Sequence, residues 1–406
     1  MRLHLLTARR GFGFGLQAAL VLLLGLAAPL YAFAAVQPCT EAGLNTAIAA
    51  GGTNTFSCVG ATTITISTSK TITAANLVLD GGGLLTISGG NALRIFTVNA
   101  GASATFQNLA INNGFLSGGN GAGVLNFGTV AIANTTFSGN TVVSAGSGGG
   151  GAAIMNVGAM TIDKSSFLNN SVNALNIADG GAINNNGTSL TISNSTFSGN
   201  SAGGSNSGRG GAILASTAIS IYNSTIVGNS ASVGCGAGAI FAVGTTTLAN
   251  TIVANNTSGG GCRPNCNGSV VAGSDSMSDN SDCGATITQK TFAQINLGAL
   301  TGSPGYFPLN SGSAAIDAGN NAICAAAPVS NTSQNGVARP ADGNGDGTAT
   351  CDIGSFEAAA VVAVVTVVPA PMMSKWILLL LAGVFYCAGM IRLQHTRSLP
   401  ITRARD

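Results

Sequence analysis

Between residues 121 and 256 apolar and small polar residues alternate in short runs, as in Leu190-Thr191-Ile192-Ser193. Side chains leaving opposite faces in turn give this two-residue period, which is that of a strand and not of a helix. The runs recur five times in one order: a glycine-rich turn, an apolar pair, a short strand and a turn bearing asparagine. Gly180-Gly181-Ala182-Ile183 followed by Asn194-Ser195-Thr196-Phe197-Ser198-Gly199-Asn200 is one example. Two apolar columns mark the repeat. Val124, Ile154, Ile183, Ile213 and Ile240 form the first, with steps of 30, 29, 30 and 27 residues. Phe137, Phe167, Phe197, Ile226 and Ile252 form the second, with steps of 30, 30, 29 and 26.

A period in the range of about 20–50 residues marks a stacked repeat in which no unit buries its own apolar face. Coils of this length with three short strands, Val, Ile and Phe inside and Thr, Ser and Asn outside predict an all-β fold, a single-stranded parallel β-helix. Asn134, Asn194 and Asn223 fall at one corner and Asn140, Asn200 and Asn229 at the next. Asparagine tolerates left-handed backbone there, and stacked amides can form ladders. Lys164 at the first corner is expected to interrupt one of them.

Apolar residues at helical spacing in Cys39 to Ile48, stopped by Gly51-Gly52, predict a short capping helix over an otherwise open solenoid end. Residues 35–111 then hold the cap and first coils, 112–258 the regular repeats and 259–357 irregular, cysteine-containing coils. The 59 glycines and 7% charged residues do not indicate disorder, because 46% of the chain is hydrophobic.

The two ends read as membrane signals. Arg9 and Arg10 precede the apolar run Leu16 to Leu30, and Ala32-Phe33-Ala34 has the small-x-small form of a signal-peptidase site, so 1–34 is expected to be a signal peptide. A linker over 358–374 leads to an apolar segment, 375–391, which is short for a transmembrane helix. The tail 392–406 carries Arg392, Arg397, Arg403 and Arg405 and is expected to stay in the cytoplasm, with the body outside. Nine cysteines are present. Cys387 lies in the apolar segment, and the other eight read as disulfides of an exported protein. Neighbourhood favours Cys39–Cys58 and Cys324–Cys351, whereas Cys235, Cys262, Cys266 and Cys283 have several pairings open to them. A metal site at Cys262 and Cys266 lacks both a second close pair and any exported histidine.

Around the anchor, Val368-Pro369-Ala370-Pro371-Met372-Met373-Ser374-Lys375-Trp376 resembles the start of the IPTL-type C-terminal sorting signals of Gram-negative bacteria, and departs from their motif at Ala370 to Met372. Export and sorting machinery are the partners that this implies. Further in, Ala315-Ile316-Asp317-Ala318-Gly319, Arg339-Pro340, Asp342 to Gly347 and Cys351-Asp352-Ile353-Gly354-Ser355-Phe356-Glu357 resemble the choice-of-anchor Q domain over roughly residues 250 to 357. The resemblance implies a pectin-lyase-like, right-handed β-helix displayed at or beyond the cell surface, and says little about activity.

No histidine stands between Ala35 and Ser374, which removes Ser-His-Asp and Cys-His mechanisms. Glycoside hydrolysis needs two carboxylates about 5–9.5 Å apart, and the regular repeats contain only Asp163 and Asp179, at different points of one coil. Asp179 aligns instead with Arg209 one coil on. That pair reads either as a lyase-like acid and arginine or as a corner salt bridge. Asp342-Gly343-Asn344-Gly345-Asp346-Gly347 has the form of half a calcium loop, with Asp352 standing near the position of its last ligand; the alternative is an Asp/Gly turn braced by Cys351. Asp275, Asp279 and Asp282 read as loop solvation.

The part expected outside carries 12 acids and 7 bases, so no nucleic-acid face is expected. These features predict an exported, non-catalytic scaffold whose polar flank meets extracellular carbohydrate or a surface partner. A polysaccharide lyase or hydrolase, with its site near Asp275 to Asp282 or Asp317, is the alternative.

Overall fold

The computed structural model describes residues 34–361 except Ser147, Cys235, Gly273 and Ser274. The segments expected to be a signal peptide, an apolar membrane segment and a basic tail therefore lie outside the described residues. Among the described residues no helix is long and apolar enough to cross a membrane.

The chain through Val361 forms one compact unit, a parallel β-helix of the right-handed type with about eight turns. Among the described residues the strand-to-strand ladders run parallel, with residues facing their counterparts one coil on apart from register shifts at Asp80/Leu85 and Ala242/Thr246. The first apolar column is continuous from Phe96 through Val124, Ile154, Ile183, Ile213 and Ile240 to Cys266. All seven side chains are fully buried. In the second column Phe137, Phe167 and Phe197 stack face to face, with centroids 5.0 and 4.6 Å apart and planes within 4°.

That column ends differently from its sequence reading. Ile226 pairs with Val253, and Ile252 pairs with Thr225 on the outer face. A one-residue slip exchanges the two faces of a strand. Ile252 is nonetheless buried, because a later segment covers it. The coil also carries more than three strands. Ile183–Asn185, Ser189–Ser193 and Thr196–Ser198 belong to the main ladders, whereas Ser201–Gly204 and Ser207–Arg209 join two further small sheets. Their glycines suit turns, yet Val142, Val172 and Ala202 stack in register over a minor core of their own.

Buried hydrogen-bond ladders hold the corners. The side chain of Asn140 donates to Asn170 at 2.9 Å, Asn170 to Asn200 at 2.9 Å, Asn200 to Asn229 at 2.8 Å and Asn229 to Asn256 at 3.0 Å. Each acceptor oxygen also takes the backbone N–H of the previous rung. Buried amides are costly unless bonded, and this arrangement bonds them without leaving the column. At the other corner Asn108, Asn134, Asn194, Asn223 and Asn250 adopt φ between 41° and 53°. Lys164 shares that conformation at φ 49°, and its neighbour Asn194 turns its amide to Asp163 at 2.9 Å.

The helix Glu41–Ala50 caps the first coil. Thr40 accepts from the Gly43 N–H at its start, and Gly51, at φ 66°, ends it. Leu44 and Ala47 face the core, and Cys39–Cys58 ties the cap down. Lys70 stands at the head of the first apolar column, opposite Phe96. It is nearly buried, and its ammonium meets Glu41 at 2.6 Å. At the far end of the column Cys266 is bonded to Cys283.

Candidate functional site

The irregular segment 292–361 does not extend the solenoid. It folds back as a strap over the outer face of the coils that carry Ser166, Thr196, Thr225 and Ile252. Gly305 N–H donates to Ser166 Oγ at 3.1 Å, Thr196 Oγ1 to Gln334 Oε1 at 2.6 Å, and Ser355 N–H to Thr225 Oγ1 at 3.0 Å. Below these bonds Ile252, Val227 and Met277 pack with Ile295, Leu309, Ala315 and Ile353 in a second apolar core. Gly354, at φ 104°, crosses so closely that a Cβ there would lie 2.9 Å from both Ile252 and Thr225. The flank expected to be free is therefore covered over these coils.

The strap is locked by a disulfide and by a buried ionic cluster. Cys324–Cys351 is formed, as is Cys39–Cys58 at the other end. Of the middle four cysteines, Cys266 pairs with Cys283, Cys262 is disulfide-bonded, and Cys235 lies outside the described residues. The Cys266–Cys283 bond removes the Cys262/Cys266 metal alternative. The second lock is an ionic cluster with no side chain exposed. Arg339 donates to Glu357 at 2.6 Å and to the carbonyls of Thr332, Asp352, Gly354 and Phe356. Arg339 and Glu357 are both 0% exposed. Glu357 also accepts the N–H groups of Ala341 and Asp352, and Asp352 those of Asp317 and Ala358.

Two buried carboxyls share one guanidinium, so one negative charge lacks compensation and the set keeps a proton up to near neutrality. Burial raises Glu357 from 4.5 to about 7 and Asp352 from 3.8 to about 6. At the opposite end the bond from Lys70, helped by the N–H and hydroxyl of Ser67, pulls Glu41 from 4.5 down to about 2. The two shifts act in opposite directions. Glu41 contributes stability above about pH 4.5 that is lost towards pH 2, whereas the strap carboxyls contribute stability below about pH 4 that is lost as pH rises to 7. Urea midpoints measured from pH 2.5 to 8 are expected to peak near pH 4–5. Glu357→Gln should flatten the neutral limb and Glu41→Gln the acid limb. A midpoint that rises steadily through pH 7 in the unmodified chain contradicts this assignment.

The Asp342 loop is an internally bonded turn. Asp342 accepts the N–H groups of Gly345, Asp346 and Gly347, Asn344 that of Asp346, and Asp346 that of Thr348. Asp317 receives the N–H groups of Gly343 and Asn344 on the same loop. Asp352 does not join this set, because its carboxylate serves the ionic cluster. Among the described residues no group of three His, Cys, Asp or Glu is placed to hold a metal ion. In the other acidic group Asp279 and Asp282 meet at Asn265, whereas Asp275 bonds elsewhere. Asp279 accepts from Asn255 and Asn265, Asp282 from Asn265, and Asp275 from Asn320.

Asp179 and Arg209 are directly paired across adjacent coils, with two bonds of 2.7 and 2.6 Å. The guanidinium lies 5.7 Å from the ring of Phe241. Arg209 is 32% and Asp179 20% exposed, and the arginine grips the carboxylate side-on through Nε and Nη2. The corner-salt-bridge reading fits this geometry. Asp179→Asn is expected to lower stability by no more than about 1 kcal/mol, a loss that shrinks in high salt. Denaturant melts at two ionic strengths measure it.

Sequence reasoning missed the Arg339–Glu357–Asp352 cluster as a unit, although the dipeptide Arg339-Pro340 and the run Cys351 to Glu357 were both visible as motifs. No family model matches this chain, and no curated protein or solved structure is significantly similar to it.

Proposed function

We propose that this chain is an exported, non-catalytic β-helix scaffold that presents its outer flank to extracellular carbohydrate or to a surface partner. The observation that carries this reading is the use made of the acidic groups. The two carboxyls held near neutrality, and so suited to general acid chemistry, are sealed at the centre of the strap with no exposed surface. Asp317 and the Asp275 to Asp282 group are occupied in holding loops together. A rod with bonded corners, capped at one end and strapped along one side, is suited to display.

The resemblances to the choice-of-anchor Q domain and to IPTL-type sorting signals support the same reading, as do the disulfides, which persist in oxidising compartments. On this reading the chain is sorted through a membrane-anchored stage to the cell surface or beyond. Calcium at the Asp342 loop remains part of the proposal: Asp342, Asn344 and Asp346 would supply oxygen ligands once their turn opened. Calorimetry of the chelator-treated protein with Ca²⁺ tests that, and absence of a binding heat rejects it. The function itself is tested by a depolymerisation and glycan-binding screen on the full chain. Binding without product release is the expected result, and release of shortened glycan overturns the scaffold reading in favour of a lyase or hydrolase.

A further inference from the structure

The strap stops short of the first coils. Its tip, Ser303 and Pro304, closes one end of a cleft of about 220 Å³ on the outer face of the β-helix. Leu84, Thr86, Asn108 and Asn134 line it, with Leu84 exposed at the rim. One coil beyond Thr136 the same outer column reaches Ser166, which the strap occupies through the Gly305 N–H. A chain lying along the column from the N-terminal side therefore meets a wall.

The polar groups in this cleft are held in one orientation. Asn134 donates to Asn108 at 2.9 Å, and Asn108 donates to Asp80 at 3.0 Å. Partial burial pushes the Asp80 carboxyl up, but the bonds from Asn108, the Gly82 N–H and Gln107 outweigh it and hold the group below its usual range. The relay thus runs towards a carboxylate, and it fixes the Asn134 carbonyl oxygen at the outer end. That oxygen and the Thr86 hydroxyl make no hydrogen bond among the described residues. An acceptor and a hydroxyl beside an apolar rim match a ligand with hydroxyls on one side and C–H groups on the other. No basic side chain lines the cleft, and an ionised Asp80 lies behind it, so an anionic ligand is disfavoured.

We propose that this cleft binds the terminal sugar of a neutral glycan chain, making the protein a reader of chain ends and not of chain interiors. The proposal rests on the carbohydrate reading above. The volume agrees, since about 300–1,000 Å³ is usual for drug-sized ligands and this cleft is smaller.

The test uses the full-length chain in mild detergent against immobilised linear oligomers of glucose, xylose, mannose and galactose. A cyclic glucan, oligogalacturonate and a Gly/Ser peptide complete the panel. A linear neutral glycan is expected to bind and the cyclic glucan to fail. Leu84→Trp, which fills the rim from an exposed position, and Thr86→Val are each expected to weaken binding about tenfold, the loss that follows from one or two hydrogen bonds or their access. Circular dichroism checks that both variants keep the fold. Glycan binding that is unchanged in both variants, or equal for cyclic and linear chains, overturns the chain-end site and leaves the scaffold reading standing. Preference for oligogalacturonate or for the peptide overturns the ligand class. If no glycan binds, both the site and the carbohydrate part of the proposed function fall.

Discussion

Arg339→Met is expected to destabilise the body by about 3–5 kcal/mol, the cost of removing one member of a buried ion pair. The substitution leaves Glu357 and Asp352 buried without a counter-charge and strips donors from four carbonyls. Protonation of both carboxyls softens the loss, so the defect should be larger at pH 8 than at pH 4.5. The double variant Arg339→Met/Glu357→Leu should recover part of it, because an apolar replacement of the whole pair is often tolerated. Because the affected contacts belong to the strap, limited proteolysis should cut between residues 292 and 361 in the single variant before the regular coils unfold. Equal stability of Arg339→Met and the unmodified chain at pH 8 would falsify the role given to this cluster.

The second large effect is expected in the phenylalanine stack. Phe167 lies between two parallel rings, fully buried, with neighbours on both coils. Phe167→Ala opens a cavity that the ladders above and below cannot close, since their registers are fixed by hydrogen bonds on either side of the ring. About 3–5 kcal/mol is the range for such truncations, and the stacked geometry places the expectation at its upper end. Phe167→Leu should cost less than half of this. Repeat proteins unfold through their weakest interface, so hydrogen exchange should show protection lost first on the coils flanking Phe167. Uniform loss along the rod would contradict a nearest-neighbour account.

The solenoid was legible because its determinants are local and recur. Val124, Ile154 and Ile183 announce the core by period alone, and Asn140, Asn200 and Asn229 mark a corner that needs bonded amides. Thr40 and Gly51 bracket the capping helix in the chain itself. The slip at Ile252 has an equally physical cause. Two β-branched apolar residues, Ile252 and Val253, stand side by side, and alternation does not decide which faces inward when the outer face is covered as well. The strap was not legible. Its contacts join residues far apart in the chain, 138 positions for Thr196 with Gln334 and 159 for Thr196 with Ser355, and no short-range pattern in 292–361 foretells them. Asp352 illustrates the consequence for the site: its position in the chain resembles a calcium ligand, while its carboxylate is drawn into a neighbouring cluster.

The asparagine ladder has a consequence for how such proteins change in length. Each rung from Asn140 to Asn229 bonds only to the coils on either side of it, so the ladder accepts any number of coils, and gene duplication can add or remove whole repeats at about 4.8 Å of rod each. The strap imposes a limit. It is anchored at Ser166, Thr196, Thr225 and Asn250, and a coil inserted among these would break its spacing. Growth and loss of repeats are thereby confined to the stretch before Ser166, where the rod can lengthen while its strapped end stays constant.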